Sequence, residues 1–161
     1  MANGHQPRKP HQRYERNDSQ HAQVKEIIDL NKDNIKKWTQ NGINDEAIKF
    51  ADQFGDSLKK GGLTTSQIRN FFGELRRIQM NGYITPDGRS EKTAFLMVKP
   101  KLAYAVKRHD NKGLKDFYDF FSIAYDAVNK NDDKEGAKHF EHLMTLMEAI
   151  LAYHKYHGGK D

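Results

Sequence analysis

Apolar residues recur along this chain at intervals of three and four, the spacing of helices that each bury one face. Val24, Ile27 and Ile28 mark a short first helix over residues 20–32. A polar stretch around Asn31–Gly42 follows, interrupted by Trp38. Asn44 is placed to cap a second helix with an apolar side of Ala47, Phe50, Ala51, Phe54 and Leu58, which Gly61-Gly62 ends. A third runs from Thr64 to about Met80 and stops at Asn81-Gly82. Thr85-Pro86-Asp87-Gly88 is a turn whose flanks are too short to support a sheet. The next helix spans about Ser90 to His109 and contains Pro100, which predicts a kink or break at Lys99. A strongly periodic helix follows Asp110-Asn111 with Leu114, Phe117, Tyr118, Phe121, Ala124, Tyr125 and Val128. The last starts near Asp132-Asp133, carries Phe140, Leu143, Met144, Met147, Ile150 and Leu151, and ends at Gly158-Gly159. The pattern predicts an all-α bundle of about five to six helices with no significant sheet.

The last two helices each carry a second apolar stripe: Phe120, Ile123 and Ala127 in one, Leu146, Ala149, Tyr153 and Tyr156 in the other. A helix apolar on two sides is either central in its own bundle or meets a partner chain.

The Thr64 helix is the most informative segment. The Thr64 hydroxyl can accept from the Gln67 N–H, and the Gln67 side chain can reach back to the Thr64 N–H, which makes a capping box; Leu63 and Ile68 fall where a hydrophobic staple needs them. Such a cap is worth about 1 kcal/mol and fixes the helix register. Ile68, Phe71, Phe72, Leu75 and Ile78 then share one face, and Arg69, Gly73, Arg76 and Arg77 fall on the other. Glycine in a helix interior costs about 1 kcal/mol relative to alanine. A phosphate backbone lying close across Gly73, flanked by guanidinium groups, is one reading of that glycine. A solvated basic face with an incidental glycine is the other, and the plainer one for this helix alone.

Composition narrows the classes. A chain of 161 residues without cysteine can bury a core but holds no thiolate metal site, thiol nucleophile or disulfide. It has no apolar run long enough to span a membrane, and its basic N-terminus lacks the apolar core of a secretory signal, so a soluble cytoplasmic protein is expected. The net charge of +5 suits an anionic partner. It is unevenly spread: Arg8, Lys9, Arg13 and Arg16 stand against Glu15 alone in residues 1–16 and account for three of the five charges. With Pro7, Pro10 and no periodicity, residues 1–19 read as a disordered basic tail, and 20–161 as one helical-bundle domain.

Three constellations could carry chemistry. Beyond Pro100, Lys101, Tyr104 and Arg108 form a stripe at i, i+3 and i+7, and Lys107 extends the charge around the helix. Two cations around an aromatic ring can neutralise phosphates and stack a base; a Tyr half-buried between solvated cations gives the same pattern. His139-x-x-His142 and His154-x-x-His157 lie at i, i+3, but no pattern supplies further ligands, so no metal or cofactor is expected. Arg16 and His21 fit R-x4-H, which resembles the active-site motif of the all-helical HEPN ribonucleases, but they straddle a tail and a helix start. With no Walker A loop, GxSxG or dense acidic cluster, no catalytic residue is assigned.

Three segments together resemble the small subunit of type III-A CRISPR–Cas (Csm) effector complexes: Gly62 to Asn70 with Leu75-Arg76-Arg77-Ile78; Leu96-Met97-Val98-Lys99-Pro100-Lys101-Leu102-Ala103-Tyr104-Ala105 through Arg108; and the ending Met147 to His157. The resemblance covers roughly residues 44–161. It implies a small all-helical protein without catalytic activity, several copies of which stack as a filament along the guide–target RNA duplex. It implies contact with the repeating backbone subunits, with RNA cleavage belonging to those and DNA cleavage to the large signature subunit. The isolated subunit is a candidate homodimer. Carried over by position, Arg69, Arg76, Lys101 and Arg108 become RNA-contact candidates, followed by Lys155; Arg77, Tyr104 and Lys107 complete the set. Two features depart from the family: Lys107 stands where glycine is common, and His154 and His157 replace residues often apolar or aromatic. The expectation is a noncatalytic RNA-binding subunit. The alternatives are a purely structural assembly subunit and a HEPN-like ribonuclease.

Overall fold

A computed structural model describes residues 22–84, 87 and 91–159. Seven helices lie among them: α1 over residues 22–30, α2 Lys32–Asn41, α3 Asp45–Lys60, α4 Thr65–Asn81, α5 Lys92–His109, α6 Lys112–Ala127 and α7 Asp133–Tyr156. The described residues contain no strand. Ile84 forms a single bridge beside the turn, and the Tyr83 carbonyl accepts from the Glu91 N–H at 3.3 Å. The predicted tail, 1–19, lies outside the described residues.

The all-α expectation holds, with one helix more than the sequence pattern suggested. The stretch Asn31–Gly42, read only as polar and interrupted by Trp38, holds α2. Only Ile35, Trp38 and Thr39 of its ten residues are buried, so the apolar period has just two large side chains to show itself. Two of its polar side chains tie it to backbone carbonyls: the Thr39 hydroxyl donates to the Ile35 carbonyl at 2.9 Å, and the Gln40 amide to the Ala127 carbonyl at 3.1 Å.

The expected Asn44 cap forms, accepting from the Ala47 N–H at 3.0 Å, and at the expected helix starts Asn111 and Asp132 accept from the N–H groups of Leu114 and Glu135 at 3.0 and 2.9 Å. In α4 both halves of the capping box are present, with Gln67 N–H to Thr64 Oγ1 at 3.2 Å and Thr64 N–H to Gln67 Oε1 at 3.0 Å. Leu63 and Ile68 are each buried.

The core is built around α7, which packs against α2, α3, α4 and α6, while α5 closes over α4 and α6. This accounts for the second apolar stripes. Phe140, Leu143, Met144, Leu146, Met147 and Ile150 are all buried, as are Phe120 and Ala127. The stripes are a thick internal core, and of their large side chains Tyr156 alone is left exposed, at 79%. Aromatic rings interlock across it: Phe54 lies 5.1 Å from Phe120, and Phe95 lies 5.0 Å from Tyr125 and 5.5 Å from Phe140.

Pro100 does not break α5, which is one helix from Lys92 to His109. The bond that proline removes is the one its N–H would make to the Leu96 carbonyl, four residues back. The Tyr125 hydroxyl of α6 donates to that carbonyl at 3.3 Å. The orphaned acceptor is satisfied from a neighbouring helix, so the turn survives.

Close approach fixes the α3–α7 contact. A Cβ at Gly55 would lie 2.7 Å from the backbone N of His154, closer than packed atoms tolerate. His154 is itself fully buried, and its Nε2 donates to the Leu63 carbonyl at 2.7 Å. Its Nδ1 is buried with no hydrogen-bond partner among the described residues.

Gly55→Ala is expected to destabilise the subunit by about 1–3 kcal/mol through overpacking, although helix propensity alone predicts a gain; chemical denaturation measures the sign. Burial holds the His154 imidazole below the ordinary histidine range. The unfolded chain therefore takes up a proton at pH values where the folded protein stays neutral, and this contribution, fully present above about pH 6.5, is lost as pH falls. His139, also lowered mainly by burial, acts in the same sense. The urea midpoint should drop between pH 7.5 and 5.5, and His154→Gln should flatten the dependence without abolishing it.

Candidate nucleic-acid interface

The capping box sets the register of α4, and the register aims its arginines. The buried side of the helix is Thr65, Ile68, Phe72, Leu75 and Ile78. Opposite it, Gly73 lies in the centre of the solvent face between Ser66 and Met80, with Arg69 and Arg76 along one flank and Asn70 and Arg77 along the other. A Cβ added at Gly73 would meet nothing within 4 Å. Nothing in the fold requires that glycine, which leaves a shallow notch between two arginine flanks.

The two flanks lead to different neighbours. On the α7 side, the Gln79 amide donates to Glu141 at 2.8 Å and the Arg76 guanidinium meets Glu148 at 3.1 Å. The Arg76 guanidinium also lies 5.6 Å from the centre of the Phe72 ring. Lys155, two helical turns beyond Glu148 on the same stripe of α7, is exposed. On the α5 side, Arg77 pairs with Glu74 at 3.1 Å and Glu91 at 3.5 Å, and Lys101 pairs with the same Glu74 at 3.6 Å. The Arg77 hydrogen bond holds the Glu74 carboxyl below the usual carboxylate range, and Glu74 raises the Arg77 guanidinium in turn.

Along α5 the exposed side carries Met97, Lys101, Tyr104, Lys107 and Arg108. Tyr104 is 68% exposed, so it is not the half-buried interface tyrosine that the sequence also allowed. Lys107 and Arg108 have no ion pair among the described residues. The fold therefore brings Arg77 and Lys101 together through Glu74. It sets Arg69 and Arg76 on the other flank of Gly73, and places Lys155 towards the far end of α7.

Sequence reasoning missed the carboxylates. Glu74 stands three residues before Arg77, a local spacing that already signals a pair. Glu148 is 72 residues from Arg76 and gave no local signal. Pairs of this kind, half exposed to water, are worth about 0–1 kcal/mol, so a phosphate can displace them at small cost.

The histidine pairs do structural work. His139 Nδ1 accepts from the Asn129 N–H at 3.0 Å, His142 Nδ1 donates to the Thr39 carbonyl at 3.0 Å, and His157 pairs with Asp52. Among the described residues no group of three or more histidine or acidic side chains could hold a metal ion, and no helix is long and apolar enough to cross a membrane. Arg16 and His21 of the R-x4-H pattern lie outside the described residues.

These features define a small helical bundle whose outward chemistry lies on charge-patterned helix faces. The protein-family model described as Csm2 Type III-A matches residues 43–160, and the chain belongs to that family, the small subunit of the type III-A Csm complex. The match spans α3 to α7; α1 and α2 precede it. No curated protein and no solved structure matches the chain.

Because Gly73 faces open space, Gly73→Ala should stabilise the isolated subunit by about 1 kcal/mol, the opposite sign to Gly55→Ala. Paired denaturation curves of the two variants check this directly.

Proposed function

We propose that this subunit is noncatalytic and binds the guide–target RNA backbone within the Csm complex, with the α4 and α5 cations neutralising phosphates. The observation that carries the reading is the solvent face of α4, an open glycine notch flanked by Arg69, Arg76 and Arg77, continued by Lys101, Lys107 and Arg108 on α5. Phosphate contacts carry no sequence information and release counterions, so binding should be indifferent to sequence and steep in salt. A single copy has few contacts and binds weakly. Repetition along the duplex, with contacts to the backbone subunits and between copies, supplies avidity.

A second reading has its own support. Arg76, Arg77 and Lys101 already meet Glu148, Glu74 and Glu91, and a surface built from such pairs could equally dock on neighbouring subunits. Charge reversal separates the two. Arg69→Glu with Arg76→Glu should abolish retention of target RNA while the complex still assembles; loss of assembly would transfer those residues to the structural reading. Lys107→Ala and Arg108→Ala should each lower the salt slope of RNA binding by about one unit if each side chain holds a phosphate. RNA cleavage without metal by the purified protein, removed by His21→Ala, would instead establish the ribonuclease.

A further inference from the structure

Beneath the Glu74–Lys101 pair, between α4 and α5, the surface opens into a groove of about 280 Å³. Its floor is apolar, with Phe71, Leu102 and Ala105 among its lining. Its rim is polar, with Asn70 and Lys101 towards solvent and His109 at the α5 end. The volume is just under the ~300–1,000 Å³ of pockets for drug-sized ligands, so it suits a single ring system. The floor is pre-formed: the Phe71 ring is held by edge contacts 5.2 Å from Phe117 and 4.8 Å from Phe121.

Resting on the RNA-binding reading, we propose that this groove takes one unstacked nucleobase of the RNA whose phosphates lie along α4 and α5. The argument is from the chemistry of the lining. An occupant with an apolar body for the floor and a polar edge for the rim fits best, because the exposed Asn70 amide and His109 imidazole make no hydrogen bond among the described residues and can bond that edge. An aliphatic side chain would fill the floor and leave those exposed rim groups to water, gaining nothing from them. A base supplies both parts, and it arrives joined to a phosphate. Lys101 stands at the mouth of the groove to receive that phosphate, and Lys107 and Arg108 continue the charge along the same helix. The amide of Asn70 offers a donor and an acceptor side by side, the pair that matches the exposed edge of adenine.

The test uses the full-length protein and two RNA duplexes of equal charge. One carries a single unpaired adenosine, and the other an abasic ribose at the same place. Fluorescence anisotropy should show the abasic duplex bound about ten-fold more weakly, the effect of one stacked base. Ala105→Leu, which fills the groove, should bring the adenosine duplex down to the abasic level and leave the abasic affinity unchanged. If that variant fails to fold by circular dichroism, Asn70→Ala, an exposed change, should narrow the same gap. Equal, salt-sensitive binding of both duplexes overturns the base site and leaves the backbone reading standing. Binding of neither duplex, at low salt and at the high protein concentration that a weak single-copy contact requires, overturns both. A folded Ala105→Leu that keeps the ten-fold preference also overturns the proposal. So does one that blocks assembly of the complex without changing RNA affinity, because it gives the groove to a neighbouring subunit.

Discussion

The approach of α3 to α7 at Gly55 is the constraint on which the rest of the bundle depends. With no Cβ at that point, the α7 backbone comes within reach of α3 and His154 turns inward, where its Nε2 bonds to the Leu63 carbonyl. The same corner is gripped from the other side. The Gly113 N–H donates to the Gly61 carbonyl at 3.0 Å, and a Cβ at Gly113 would lie 2.8 Å from the Leu63 backbone N. The turn between α3 and α4 is thus clamped between α6, through backbone atoms, and α7, through the His154 imidazole. Thr64 leaves from this clamped corner, so the register written by its capping box is also anchored in space. The arginines of α4 point where they do because α6 and the His154 side chain of α7 meet around Leu63.

Two mid-helix glycines show how far the sequence could be read. Gly73 drew notice because it interrupts a basic face, and Gly55 did not because it falls within an ordinary amphipathic helix. The structure reverses their roles in the fold: Gly55 is required by packing, and Gly73 by nothing in the chain. Helical periodicity reports which face is buried but not what it is buried against, so a glycine needed by a partner helix looks like any other small residue. The same limit explains α2, whose burial rests on Ile35, Trp38 and a threonine that bonds to its own backbone. Caps and helix starts fared better, because the Thr64–Gln67 box and the Asn44 cap act within four residues of themselves, and so do Asn111 and Asp132 at the starts of α6 and α7. The continuity of α5 was illegible for the opposite reason. The group that rescues the Pro100 turn, the Tyr125 hydroxyl, is 29 residues from the carbonyl it satisfies.

The charged face was legible as to its cations and not as to their partners. Counted from the sequence, α4 and α5 are simply basic. In the fold Glu74 serves Arg77 and Lys101 together, Glu91 adds to Arg77, and Glu148 holds Arg76 from α7. These carboxylates lower the field of the face and steady the long side chains that would otherwise wander. The pairs are half exposed, so each contributes little to folding. They are well suited to exchange, since a phosphate replacing a carboxylate preserves the geometry of the guanidinium and adds the release of counterions.

That exchange bears on how a repeated subunit would work. A face of unpaired arginines would hold any anionic polymer tightly one copy at a time, and would do so before a complex had formed. A face whose cations are already partnered gains only the difference between phosphate and carboxylate at each contact. A lone copy on the RNA reading would therefore bind and leave readily, while a row of copies fixed to a common backbone would sum the small differences. Lys107 and Arg108, which have no ion pair among the described residues, would then contribute most of the first encounter, and the α4 pairs would respond once the polymer is in place. On the assembly reading the same pairs would open towards a neighbouring protein, and the weakness of each would again make the contact depend on position within the row. In either case the helix faces act collectively, and what the bundle contributes is the rigid placement of α4 and α5 that the clamp around Leu63 secures.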